Sequence, residues 1–131
     1  MAKLIGSIDA LGRPLLRLPI PGGHDDLLAL VDTGFNGELM TSLDVARSLR
    51  ITLDEDLEPI ELGTGTVERV YVGRIDMRWL GRQTRVEVLV SSRWPAPRPD
   101  APVALIGTRL LRPHQLMIDF DADTLEIETQ A

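Results

Sequence analysis

Cysteine is missing from all 131 residues. Disulfides, thiolate metal sites and a thiol nucleophile are therefore excluded, and a reducing compartment suits the chain. Aromatic residues make up only 4%, so a core must rest on Leu, Val and Ile. The two histidines, His24 and His114, lack paired ligand spacing; they suggest surface residues and no metal site. No apolar run approaches the roughly 18 residues that a membrane span needs. The opening MAKLIGSIDALGRP does not have the pattern of a signal peptide, and a cytoplasmic location is expected. Basic residues are outnumbered, with a net charge of −6, and no basic stripe marks a nucleic-acid surface. The acidic stretch DEDLE at 54–58 lacks EF-hand spacing and reads as a solvated loop.

What is present is a succession of short apolar segments, and residues 1–131 are long enough to form one domain with its own core. KLIGSIDA and RPLLRLPI flank Leu11-Gly12 and predict a hairpin. LLALV is a continuous apolar run, the pattern of a strand covered on both faces, and GELMTS predicts a short strand after it. Ser42 can cap a helix over 43–50, with Leu43, Ala46 and Leu49 on one face. Residues 58–80 carry the longest period-2 pattern, interrupted by Gly63-Thr64-Gly65, which predicts a hairpin tip. TRVEVLVSS returns after a turn at Leu80-Gly81-Arg82. The proline-rich stretch RWPAPRPDAP predicts an irregular, semi-rigid loop over 93–102. VALIG, a helical turn TRLLRP, and a last hairpin QLMIDFD–TLEIET complete a mostly β chain.

One stretch carries a question of chemistry. In LALVDTGFNGELMTS, from Leu28 to Ser42, an apolar strand runs into Asp32 and turns there. An unpaired charge is expensive at the end of a buried strand, so the acid either faces water in an ordinary turn or is held for chemistry. LLALVDTG also has an echo in PVALIGTR, where a second apolar strand runs into a Gly-containing turn. Two such halves suggest a pseudo-symmetric, barrel-like domain.

Asp-Thr-Gly alone is a weak signal, but its setting is more specific. In order, VDTGFNGEL, LGTGTVERVYVG and VALIGTRLL…LMIDF resemble the retropepsin-like aspartic proteases of clan AA, and the small single-domain bacterial members more than the viral ones. With the strands between, the resemblance spans roughly 25–120 of the chain. It implies an all-β fold with a closed barrel, a flap hairpin and one or two short helices. It also implies roles. Asp32 is the catalytic aspartate, Thr33 locks two catalytic turns together across a dimer, and Gly34 lets substrate approach. Gly63, Thr64 and Gly65 form the flap tip that covers substrate, and Ile106-Gly107 packs beneath the catalytic turn. Phe35 departs from the family pattern of Ala or Ser at this place; beside the site, it would fill or narrow a substrate pocket. The proline-rich loop has no assigned counterpart.

Peptide hydrolysis by carboxylates needs an acid and a base at one water. Two adjacent carboxylates meet that need by sharing a proton. The chain has one Asp-Thr-Gly, and Asp119, Asp121 and Asp123 lack the Thr-Gly setting. The second aspartate is therefore expected from a second copy across a two-fold axis. The expectation is a homodimeric aspartic endopeptidase acting on protein or peptide substrates, with no cofactor. The rival is a non-catalytic peptide-binding or dimerisation module of the same fold, favoured if Phe35 blocks the cleft. In a third reading, Asp32 occupies an inert surface turn. Trp79 and Trp94 are expected in core or interface packing.

Overall fold

A computed structural model describes residues 2–61, 64–96 and 98–130. Within them the chain forms ten strands and two short helices. The first hairpin is Lys3–Ile8 (β1) and Pro14–Leu18 (β2), followed by Leu27–Val31 (β3) and Leu39–Ser42 (β4). The helix Leu43–Ser48 (α1) starts where Ser42 Oγ accepts the Val45 N–H at 3.1 Å. Asp44 in its first turn and Arg47 in its last match the helix dipole. The helix is shorter than the expected 43–50, because Arg50 takes a left-handed φ of 56° and ends it. Glu58–Glu61 (β5) and Val67–Trp79 (β6) flank the expected tip, of which Leu62 and Gly63 lie outside the described residues. Arg82–Ser91 (β7), Ala104–Ile106 (β8), Thr108–Leu111 (α2), Gln115–Asp119 (β9) and Thr124–Glu128 (β10) follow.

Hydrogen bonding joins the strands in the order β5-β6-β7-β4-β8-β3-β2-β1-β10-β9. The order has two ends, and no ladder among the described residues joins β5 to β9. The expected closed barrel thus goes further than the pairing does. Alternation in a sequence tells which face of a strand is buried, not whether the outer strands meet.

The echo between LLALVDTG and PVALIGTR is a neighbour relation in space. β3 and β8 are parallel, with Ala29 opposite Ala104, Leu30 opposite Leu105 and Val31 opposite Ile106. The next residues along the two strands are Asp32 and Gly107.

Successive side chains on a strand point to opposite faces, and the central strands are covered on both. Leu39, Val88 and Ile106 belong to the main core, together with Ala29, Val31 and Met77. Their chain neighbours Met40, Leu89 and Leu105 face the other way, into a second cluster around Phe35. β6 serves both clusters. Val70 and Val72 face the second, and Met77 and Trp79 the main core, so the buried phase changes at Gly73. There the segment after α1 lies against the strand, and a β-carbon on Gly73 would stand 2.6 Å from Ile51 Cγ2.

His114 is not a plain surface residue. It is half-buried with its ring edge-on to Trp79, and among the described residues neither His114 Nδ1 nor Trp79 Nε1 has a hydrogen-bond partner. Trp94 is partly buried and packs against the second cluster. No helix among the described residues is long and apolar enough to cross a membrane.

Candidate active site

The backbone of the Asp32 turn continues the β3–β8 ladder. The Asp32 N–H donates to the Ile106 carbonyl at 2.9 Å, one step beyond the last paired residues. The chain then reverses, with the Phe35 N–H donating to the Asp32 carbonyl at 3.1 Å. The Asp32 carboxylate is fixed by the turn that follows it, because Oδ1 accepts the Gly34 N–H at 2.9 Å. This is an Asx-type contact that orients one oxygen and leaves Oδ2 outside it. A β-carbon on Gly34 would stand 3.2 Å from Oδ1, so glycine suits this approach to the carboxylate.

The far side of the turn is bound to the segment after β8. Gly107 N–H donates to Glu38 O at 3.0 Å, Thr108 N–H to Phe35 O at 2.8 Å, and Arg109 N–H to Gly37 O at 3.2 Å. Thr108 Oγ1 reaches the same Phe35 carbonyl at 3.4 Å. Glu38 also ties the turn to β7, its Oε1 accepting the Glu87 N–H at 2.8 Å. Two strands and the start of α2 therefore hold the Asp32 backbone in place. Gly37, Glu38 and Thr108 carry no site signature of their own in the sequence. The only sign of them there is their closeness to Asp-Thr-Gly and to the Ile-Gly echo.

Asp32 is half-buried, and Thr33 and Gly34 are exposed. The Thr33 hydroxyl has no hydrogen bond among the described residues. Phe35 is placed differently from its neighbours. Only 7% of it is exposed, and its ring packs with Met40, Val70, Val72 and Leu89, flanked by Ile60 and Leu105. It lies beneath the turn and joins it to the strands of the β5–β6 hairpin. Thr64 and Gly65 at the hairpin tip are exposed, while Gly63 falls outside the described residues.

The proline-rich loop bounds a cavity of about 220 Å³ with Trp94, Pro102 and Val103 on one side and Val45 of α1 on another. A wider opening of about 790 Å³ lies beside Trp79, Arg82, Arg112 and His114. Neither is lined by Asp32. Arg13, just before β2, links the loop to the first hairpin: its Nε lies 2.7 Å from Asp9 Oδ2 and its Nη2 3.4 Å from the Asp100 carbonyl.

No family model and no curated protein matches this chain. Among solved structures it is similar to a retropepsin-like aspartic protease from Rickettsia conorii, with a TM-score of 0.65 at 16% sequence identity. The likeness covers 95% of this chain and 89% of that one. At this identity it speaks to the fold, and the chain has the retropepsin-like, mostly β architecture.

Proposed function

We propose that the chain is one half of a homodimeric aspartic endopeptidase, with Asp32 supplied by each of two copies. The observation that carries this reading is the Asp32 turn itself. A carboxylate sits at the end of a buried strand, oriented by the Gly34 N–H, in a turn bound to β8 and α2, with Thr33 and Gly34 open to solvent. An inert surface turn would not need such anchoring. An isolated carboxylate cannot act as both acid and base, and the chain has a single Asp-Thr-Gly.

In the dimer the two Asp32 carboxylates share one proton, because like charges at close range cannot both ionise. The ionised member takes a proton from a water molecule, which attacks the peptide carbonyl. The protonated member gives its proton to the carbonyl oxygen, forming a tetrahedral diol that collapses with proton transfer to the leaving nitrogen. The Thr33 hydroxyl is available to bond the partner turn. Substrate lies extended between the Asp32 turn and the β5–β6 hairpin, where Thr64 and Gly65 close over it as a flap. This chemistry asks for no cofactor.

A peptide-library digestion over about pH 4–7 tests the proposal. Wild type cuts peptides within this range. Asp32→Asn, nearly the same shape but unable to ionise, loses about 10²- to 10⁴-fold or more of that activity with fold and dimer intact. Equal cutting by both proteins contradicts the assignment. A wild type that binds peptides without cutting them points to the peptide-binding module instead.

A further inference from the structure

The proline-rich loop takes no part in the Asp32 site, yet it encloses a cavity of about 220 Å³. Trp94 and Pro95 line it from one end of the loop and Pro102 and Val103 from the other, and Val45 of α1 closes another side. Several contacts fix this shape. The Ala101 N–H donates to the Arg98 carbonyl at 3.1 Å and closes a turn in the loop. The Val103 N–H donates to the Leu28 carbonyl at 2.8 Å, and the Val103 carbonyl accepts the Thr41 hydroxyl at 2.6 Å. Trp94 is held from behind by the second cluster. The cavity is thus preformed, as small-molecule sites usually are.

The charge around it is uneven. Arg13 and Arg98 both line the cavity, and no acidic side chain among the described residues does. Arg13 is balanced by Asp9, whose Oδ2 lies 2.7 Å from its Nε. Arg98 has no ion pair among the described residues. One positive charge is therefore left over here, on a chain whose net charge is −6. Ser42, which also lines the cavity, adds a second polar group. Its Oγ accepts the Val45 N–H at 3.1 Å, and its hydroxyl hydrogen remains to be donated.

We infer that this cavity binds a small aromatic monocarboxylate, its ring among Trp94, Pro95 and Pro102 and its carboxylate on Arg98 and Ser42. Size decides for a single small ring system. A dry apolar cavity of about 150 Å³ takes benzene, so about 220 Å³ takes a ring with a short acid arm. Trp94 offers a ring face or edge for aromatic packing. A guanidinium meets both oxygens of a carboxylate at once. One spare cation matches one anion; a second negative charge would be unpaired beside apolar walls. Asp32 does not line this cavity, so the inference stands whether or not the chain cuts peptides.

Calorimetric titration of the whole chain with benzoate, phenylacetate and indole-3-acetate tests this, each acid compared with its own uncharged amide. At least one acid should bind saturably, one per chain, and its amide at least about tenfold more weakly. Arg98→Gln should lose about ten- to hundredfold in affinity for the acid and little for the amide. Arg98→Lys keeps the charge without the planar fork and should fall between. Ala101→Leu, which adds bulk to the lining, should weaken acid and amide alike. On binding, the indole N–H resonance of Trp94 should shift and that of Trp79 should stay. Thermal melts check that each variant folds; should Ala101→Leu not fold, the Trp94 resonance locates the ligand. The inference is overturned if none of the acids saturates, if the amide binds as tightly as the acid, or if folded Arg98→Gln binds the acid as the wild type does. A shift at Trp79 with none at Trp94 overturns it as well.

Discussion

Phe35 and Gly107 touch so closely that residue 107 has no room for a side chain: a β-carbon there would meet the Phe35 ring at 2.7 Å and the Phe35 carbonyl oxygen at 2.7 Å. The Gly37 carbonyl oxygen is closer still. Two of these three obstacles are backbone atoms, which cannot rotate away. Gly107→Ala should therefore displace the Asp32 turn and destabilise the fold by about 1–3 kcal/mol. Denaturant unfolding measures the loss. If Gly107→Ala is as stable as the wild type, the turn is not seated as described.

The hairpin and the strand behind Asp32 should differ in local stability. Residues 64–66 are exposed, and Ile60 and Val70 anchor the hairpin lower down. Residues 28–31 lie in β3, paired on both sides by β2 and β8. Amide exchange without ligand should be fast at 64–66 and slow at 28–31. Equal protection of the two segments would count against a flap that opens.

His114 predicts a pH dependence of stability. Burial lowers its pKa from the ordinary value of 6.5. As pH falls through 6.5 the unfolded chain takes up a proton that the folded chain resists. The stabilising contribution is thus complete above 6.5 and is lost below it, until the folded residue also protonates. Between about pH 8 and pH 5 the denaturation midpoint of the wild type should fall more than that of His114→Gln. Parallel curves would show that His114 is not the group responsible.

Much of the local structure was legible because it is local. Ser42 three residues before Val45 marks a helix start, and the alternation in Val67–Trp79 and Arg82–Ser91 marks two long strands. Asp32 at the end of an apolar run was legible for the same reason. The side on which Phe35 would lie was not. Its position follows from Gly107 and Val70, far away in the chain, and no periodicity couples those residues to it. The early end of helix α1, before the left-handed Arg50, was also hidden, because a left-handed arginine has no signature in composition. His114 read as a surface residue because two lone histidines give no pattern; its burial depends on Trp79, 35 positions earlier in the chain. The strand order came from neither motif nor period, since it depends on which edges meet.

Mixing two kinds of subunit tests the shared site most directly. Wild type is combined with Asp32→Asn in varying ratio at constant total protein, allowed to exchange, and assayed on one peptide. If each active site needs an Asp32 from both copies, total activity follows the square of the wild-type fraction, because mixed dimers are inactive. At a wild-type fraction of about one half, roughly a quarter of the activity should remain. Activity that falls in direct proportion to the wild-type fraction would mean that each chain works alone, and would contradict a site built from two Asp32 carboxylates.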